Sequence, residues 1–180
     1  MYPGAYGPGT SMRNSGTKDK CKFEKQVHKN EGAKEIIETY LEDGRGHHFV
    51  HTLTWTKGEY ALGSTTTVLN KSDTPTTLEL LTSFSLGLIS PFEEADASEC
   101  LKLHRIRSKW SQEGRLVTES AEDLQLEPSW AYWQVNSTRY GQIGSMPVKG
   151  YFPFGAVEDT KEGVVWACLL YTSDAADDLT

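Results

Sequence analysis

Thr65-Thr66-Thr67-Val68-Leu69, then Asn70-Lys71-Ser72-Asp73-Thr74-Pro75, then Thr76-Thr77-Leu78-Glu79-Leu80-Leu81-Thr82-Ser83-Phe84 is the stretch that decides the fold class. Both arms are rich in β-branched residues, whose stiff side chains fit a pleated surface, and the residues between them favour turns. The stretch therefore predicts a β-hairpin, ended by Ser90-Pro91-Phe92. Toward the N-terminus the strand pattern begins near Phe23. Ile37, Thr39 and Leu41 alternate with Glu38 and Glu42, and Phe49, His51, Leu53 and Trp55 alternate with Val50, Thr52 and Thr54. Both faces of that second run are expected to be partly buried. Toward the C-terminus, strands are expected from Leu101 to Trp110, Arg115 to Glu119, Arg139 to Met146, Tyr151 to Val157 and Val164 to Ala167. The first two are separated by Gln112-Glu113-Gly114, and the last two by the turn from Glu158 to Gly163. No helical stripe of useful length appears, and many short strands with frequent turns predict an all-β antiparallel sandwich over residues 23–167. Residues 1–22, with repeated Gly, Pro, Ser and Tyr, read as loop or the remnant of an upstream region.

The chain has 180 residues, 37% of them hydrophobic and 11% aromatic, enough for one domain with a core. Eighteen basic against 25 acidic residues give a net charge of -7 with no long basic run, which argues against nucleic acid as a partner. No stretch approaches the roughly 20 apolar residues that cross a bilayer, and the opening residues lack the apolar block of a secretory leader, so no membrane partner is expected. Cys21, Cys100 and Cys168 are odd in number, widely spaced and without a C-x-x-C pair. They suggest neither a zinc site nor a disulfide framework, and the cytoplasm fits best.

Candidate chemistry is sparse. Glu93-Glu94, Glu122-Asp123 and Glu158-Asp159 lie in polar, turn-like contexts where a solvated loop charge is the ordinary reading. In His47-His48-x-x-His51 alternation puts His47 and His51 on one strand face and His48 on the other, and no Cys or carboxylate signature follows, so no metal and no cofactor are expected. Ser129 and Ser145 lack a nucleophile elbow and a His–Asp relay. The most pointed polar feature is His104-Arg105-x-Arg107-x-Lys109 before Trp110, with the three cations on one strand face, either exposed to solvent or a docking patch. In the loop from Leu126 to Trp133, Trp130, Tyr132 and Trp133 offer flat surfaces to a sugar or bulk to a core or interface. Arg105, Arg107, Trp110, Trp130 and Trp133 are thus the candidates for carbohydrate binding or a domain interface.

Leu81-Thr82-Ser83-Phe84-Ser85-Leu86-Gly87, Leu103-His104-Arg105-Ile106-Arg107-Ser108-Lys109-Trp110-Ser111 and Gly144-Ser145-Met146-Pro147-Val148-Lys149-Gly150-Tyr151-Phe152-Pro153-Phe154 together resemble the N-terminal domain of family 36 glycoside hydrolases. The resemblance spans about Ile36 to Ala167 and rests on the order and spacing of the three runs. Leu88 departs from it, standing where a second glycine is expected. The resemblance implies a β-supersandwich that accompanies a (β/α)₈ barrel in an α-galactosidase, with retaining hydrolysis of terminal α-galactosides by two carboxylates about 5 Å apart. Those carboxylates belong to the barrel, so no catalytic residue is assigned here and the chain alone is expected to be inactive. The implied partners are the catalytic barrel of the same chain, an α-galactoside for the whole protein, and a second copy in a homo-oligomer. The alternatives are a free-standing carbohydrate-binding module using Trp130 and Trp133, or the sandwich of a different glycoside hydrolase.

After the Val164-Val165-Trp166 strand the composition changes abruptly. Cys168-Leu169-Leu170-Tyr171-Thr172-Ser173-Asp174-Ala175-Ala176-Asp177-Asp178 resembles a translated transposase-adapter sequence, so residues 168–180 are expected to be a non-native tail that interrupts the sandwich.

Overall fold

The computed structural model describes residues 20–78, 81–87, 89–92, 99–126, 138, 140 and 150–170. The eight elements among them are all β-strands: β1 (Lys22–Glu31), β2 (Lys34–Glu42), β3 (His47–Thr56), β4 (Leu62–Asn70), β5 (Leu101–Ile106), β6 (Leu116–Ser120), β7 (Phe154–Asp159) and β8 (Val164–Leu169). They form two antiparallel four-stranded sheets, the make-up of a sandwich-like all-β fold. The chain divides into two compact units, residues 1–86 and 87–180, each holding one sheet.

The first unit is a meander, β1-β2-β3-β4. Its opening hairpin closes through Gly32-Ala33, with Gly32 at φ 62°, the left-handed conformation that a primed two-residue turn requires. Asp43 makes the next turn, its Oδ1 accepting from the backbone N–H of Arg45 (2.8 Å) and of His47 (3.2 Å). Strict pairing sorts the residues by face. Ile37, Leu41, Phe49, Leu53, Trp55 and Val68 share one side, while Lys25, Glu38, Tyr40, His48, Thr52 and Thr67 share the other. The first face is thus the richer in apolar side chains, though it also carries Thr39, His47 and His51, and the second holds Ile36, Val50 and Leu69 among its polar residues. β3, central in the sheet, is partly buried on both faces along its whole length.

The hairpin read from residues 65–84 forms only in part. Its first arm lies within β4, but β4 pairs with β3, and the described residues of the second arm, 76–78 and 81–84, carry no strand. The connector folds on itself, Asn70 Oδ1 accepting from Ser72 N–H (3.0 Å) and Asn70 Nδ2 donating to Thr74 O (2.9 Å). His47 Nε2 then meets Thr76 Oγ1 at 2.7 Å from the apolar face, while the hydroxyls of Thr66 (3.0 Å) and Ser64 (2.6 Å) donate to the carbonyls of Thr82 and Ser83. Side chains from that face hold the returning chain. Its β propensity is overridden by these anchors.

The second unit has the order β6-β5-β7-β8. The strand expected as far as Trp110 is continuous only to Ile106; Arg107 still bridges Tyr151 and exchanges bonds with Arg115 O (2.9 Å) and Gly114 N–H (2.9 Å), after which the chain turns. Asp159 builds the β7–β8 turn. Its Oδ1 accepts from Lys161 and Glu162 N–H, both at 3.1 Å, and its carbonyl from Gly163 N–H at 2.8 Å. β8 runs two residues past Ala167, pairing Cys168 with Gly155 and Leu169 with Phe154. The expected strand from Arg139 to Met146 lies outside the described residues except for Tyr140.

Candidate functional site

Among the described residues, those most withdrawn from solvent are chiefly polar: Asp43 in the first unit, and Arg105, Ser108 and Asp159 with Ala156 in the second. Arg105 is the centre of the second group. β5 is flanked on both sides, so its side chains meet neighbours from β6 and β7. Arg105 Nη2 is ion-paired with Glu119 on β6, and its guanidinium lies 4.3 Å from the ring centre of Tyr151 and 5.3 Å from that of Tyr140. The two tyrosine rings meet edge to face at 5.6 Å. Burial, opposed by the Arg105 charge, raises the Tyr140 phenol above its ordinary pKa. A planar cation stacked on aromatic faces and paired with a carboxylate offsets the loss of its hydration.

Gly155 makes room for this cluster. A Cβ built there would collide with Tyr140 Oη. Ser108 is fully buried, its N–H donating to Gly150 O at 3.0 Å, while among the described residues its Oγ and the Arg105 Nε have no hydrogen-bond partner.

The basic run is therefore not the exposed sheet face read from alternation. Arg105 is 7% exposed, Arg107 sits partly covered with its guanidinium 5.6 Å from the Tyr151 ring, and the strand has ended before Lys109. Alternation identified the shared face, but the tyrosines that cover it come from distant parts of the chain. Trp110 is 77% exposed at the loop tip. Trp130, Tyr132 and Trp133, with Ser129, Ser145, Glu93, Glu94 and Leu88, lie outside the described residues.

The acidic pairs that are described have local partners. Glu158 Oε2 meets His104 Nε2 at 2.9 Å, and the same imidazole reaches Thr118 Oγ1 through Nδ1 at 2.8 Å. Glu122 Oε1 accepts from Glu99 N–H at 2.6 Å, a bond that heads the causes of its lowered pKa. Asp123 Oδ2 and Ser120 Oγ exchange bonds with each other's backbone N–H. Asp159 holds its turn.

The three histidines divide between faces as alternation predicts. His51 Nε2 lies 2.9 Å from Ser64 Oγ and 3.2 Å from Ser83 O. His47 bridges Asp43 Oδ2 and Thr76 Oγ1, each at 2.7 Å. Burial by itself would raise the Asp43 carboxyl, but the bond from the His47 ring and those from Arg45 and His47 N–H outweigh it and hold the pKa at about 2. On the polar face His48 Nδ1 stands 3.7 Å from Glu24 Oε2, with Glu42 directly opposite His48 in the ladder. Farther along, Lys29 Nζ (2.8 Å) and Tyr40 Oη (2.5 Å) donate to Glu38, holding its carboxyl below the usual range. Reading the sequence strand by strand missed Asp43, Glu119, Tyr140, Glu24 and Glu42, whose roles arise only from the pairing.

Comparison of the chain with protein-family models, with curated proteins and with solved structures finds no match. Among the described residues no helix is long and apolar enough to cross a membrane.

Proposed function

We propose that this chain is a non-catalytic β region of a glycoside hydrolase of the α-galactosidase kind, built to dock against a catalytic barrel in the cytoplasm. The observation that carries this reading is the set of apolar side chains left exposed along one face of the second sheet. Pairing puts Ile106, Leu116, Phe154 and Val165 on the same side as His104 and Ala156. Leu116 is 59% and Val165 54% exposed, on the same face as the His104–Glu158 pair, Val165 standing directly opposite Glu158. Apolar area in water is worth about 25 cal/mol per Å² when covered, so such a surface favours a packed partner. The three sequence runs that resemble family 36 enzymes supply the identity of that partner, and the second sheet's Glu119, Glu122, Asp123, Glu158 and Asp159, engaged in turns and ion pairs, suit a supporting role.

Recovery of the uninterrupted gene tests the reading. The frame is expected to leave this sequence near Ala167 and to continue into alternating βα units of roughly 250 residues. Purified chain should release no product from an aryl α-galactoside above a buffer blank, since an enzyme site typically accelerates its reaction at least about a millionfold. A genomic sequence that keeps residues 171–180 and then stops would overturn the proposal. Saturable binding of galactose or melibiose by such a product would replace it with the carbohydrate-binding module.

A further inference from the structure

The polar face of the first sheet brings together two carboxylates and an imidazole from three adjacent strands. Glu42 on β2 stands directly opposite His48 on β3. Glu24 on β1 is the extra residue of a β-bulge, left over where the pairing passes from Phe23–Leu41 to Lys25–Tyr40, and its carboxylate reaches toward His48 across the intervening strand. One donor atom from each side chain lies within 4.8 Å of the other two. At 3.7 Å, Glu24 Oε2 and His48 Nδ1 are too far apart for a hydrogen bond, and neither glutamate accepts one among the described residues. The site is half-covered, with the side chains of Glu24 and His48 36% and 23% exposed. Lys22, opposite Glu42, is exposed, and Lys25 is turned over the Tyr40 ring at 4.6 Å.

We propose that Glu24, Glu42 and His48 form a binding site for one divalent zinc ion. Ligand atoms bonded to zinc at about 2.0–2.2 Å stand roughly 3–4 Å apart, so small rotations of two flexible glutamates close the set. The ion's two positive charges match the two carboxylates, whose mutual repulsion it relieves. The mixed nitrogen and oxygen donors select zinc over calcium and magnesium, which favour all-oxygen shells. Three protein ligands leave a position for water. The ion would cross-link β1, β2 and β3 at the end of the sheet where β1 begins.

The test is calorimetric titration of zinc chloride into the untagged, chelator-treated chain, repeated with Glu24→Gln, Glu42→Gln, His48→Gln and the controls His104→Gln and Cys21→Ser. Circular dichroism checks that each remains folded. Expected is one zinc per chain, weakened about tenfold or more by each cluster substitution and little by either control. In parallel, ¹H–¹⁵N spectra of the imidazole rings should show the His48 resonances moving with zinc while those of His104 stay. No saturable zinc binding, affinity retained in His48→Gln, a loss specific to Cys21→Ser, or tighter binding of calcium would each overturn the site.

Discussion

At the scale of single residues, charges are placed where backbone turns need them. Asp43 accepts two backbone N–H groups and one ring nitrogen, and its carboxyl is held at about 2. A carboxylate whose folded pKa lies below its unfolded value, about 3.9, stabilises the fold above the unfolded value. That contribution is lost as pH falls through the window from about 4 to about 2. Hydrogen bonds to a charged group contribute on the order of 1.5–3 kcal/mol, so Asp43→Asn should lower the urea midpoint at pH 7 and flatten its fall between pH 5 and about 2. An unchanged acid profile in Asp43→Asn would remove Asp43 from this role. The Arg105 cluster gives a second residue-level test. Gly155→Ala drives a methyl group into Tyr140 Oη and should destabilise the second unit by about 1–3 kcal/mol. Adding Tyr140→Phe removes the clashing oxygen and should recover part of that loss. A double variant no more stable than Gly155→Ala would place the strain elsewhere.

At the scale of elements, alternation located most strands because their side chains truly face two environments. Ile37 and Leu41 share the apolar side with Leu53 and Phe49, as their spacing of two implies. The turn at Glu158 to Gly163 was equally legible, since an Asp before a Gly-ended loop carries its own backbone bonds. What local sequence could not show was partnership. Residues 76–84 have the composition of a strand, but Thr76, Thr82 and Ser83 are held by side chains of His47, Thr66 and Ser64 from strands earlier in the chain. The candidate site was illegible for the same reason. Glu24 and Glu42 acquire meaning beside His48 only once a bulge and a register bring three strands together, and Arg105 is covered by tyrosines more than 30 positions away in the chain. The crossing segment makes its own prediction: Thr66→Val keeps the shape of the side chain and removes the bond to Thr82 O. A loss of about 1 kcal/mol is expected, with faster hydrogen exchange confined to residues near 82. Exchange that changes equally across β1 would show that the segment is not anchored there.

At the scale of the molecule, the balance between covered and uncovered apolar surface decides how the chain behaves alone. Among the described residues Ala156 is the one buried hydrophobic side chain, while Trp110, Leu116, Val165 and Leu169 are each more than half exposed. A domain's net stability is only about 5–15 kcal/mol, so apolar area left in water at about 25 cal/mol per Å² is a substantial fraction of it. β8 adds an edge, because among the described residues it pairs with β7 alone. The isolated chain should therefore self-associate or bind a hydrophobic dye, and Leu116→Ser with Leu169→Ser should reduce both. If Trp130 and Trp133 also serve the docking partner, Trp130→Ala with Trp133→Ala should lower dye binding further and leave the response to galactose and melibiose unchanged. Sedimentation, dye fluorescence and sugar calorimetry on the three proteins measure these outcomes together. A monomeric chain that ignores the dye would show that the exposed apolar side chains of the second sheet need no partner. Sugar binding lost with the two tryptophans would assign them to a ligand in place of a barrel.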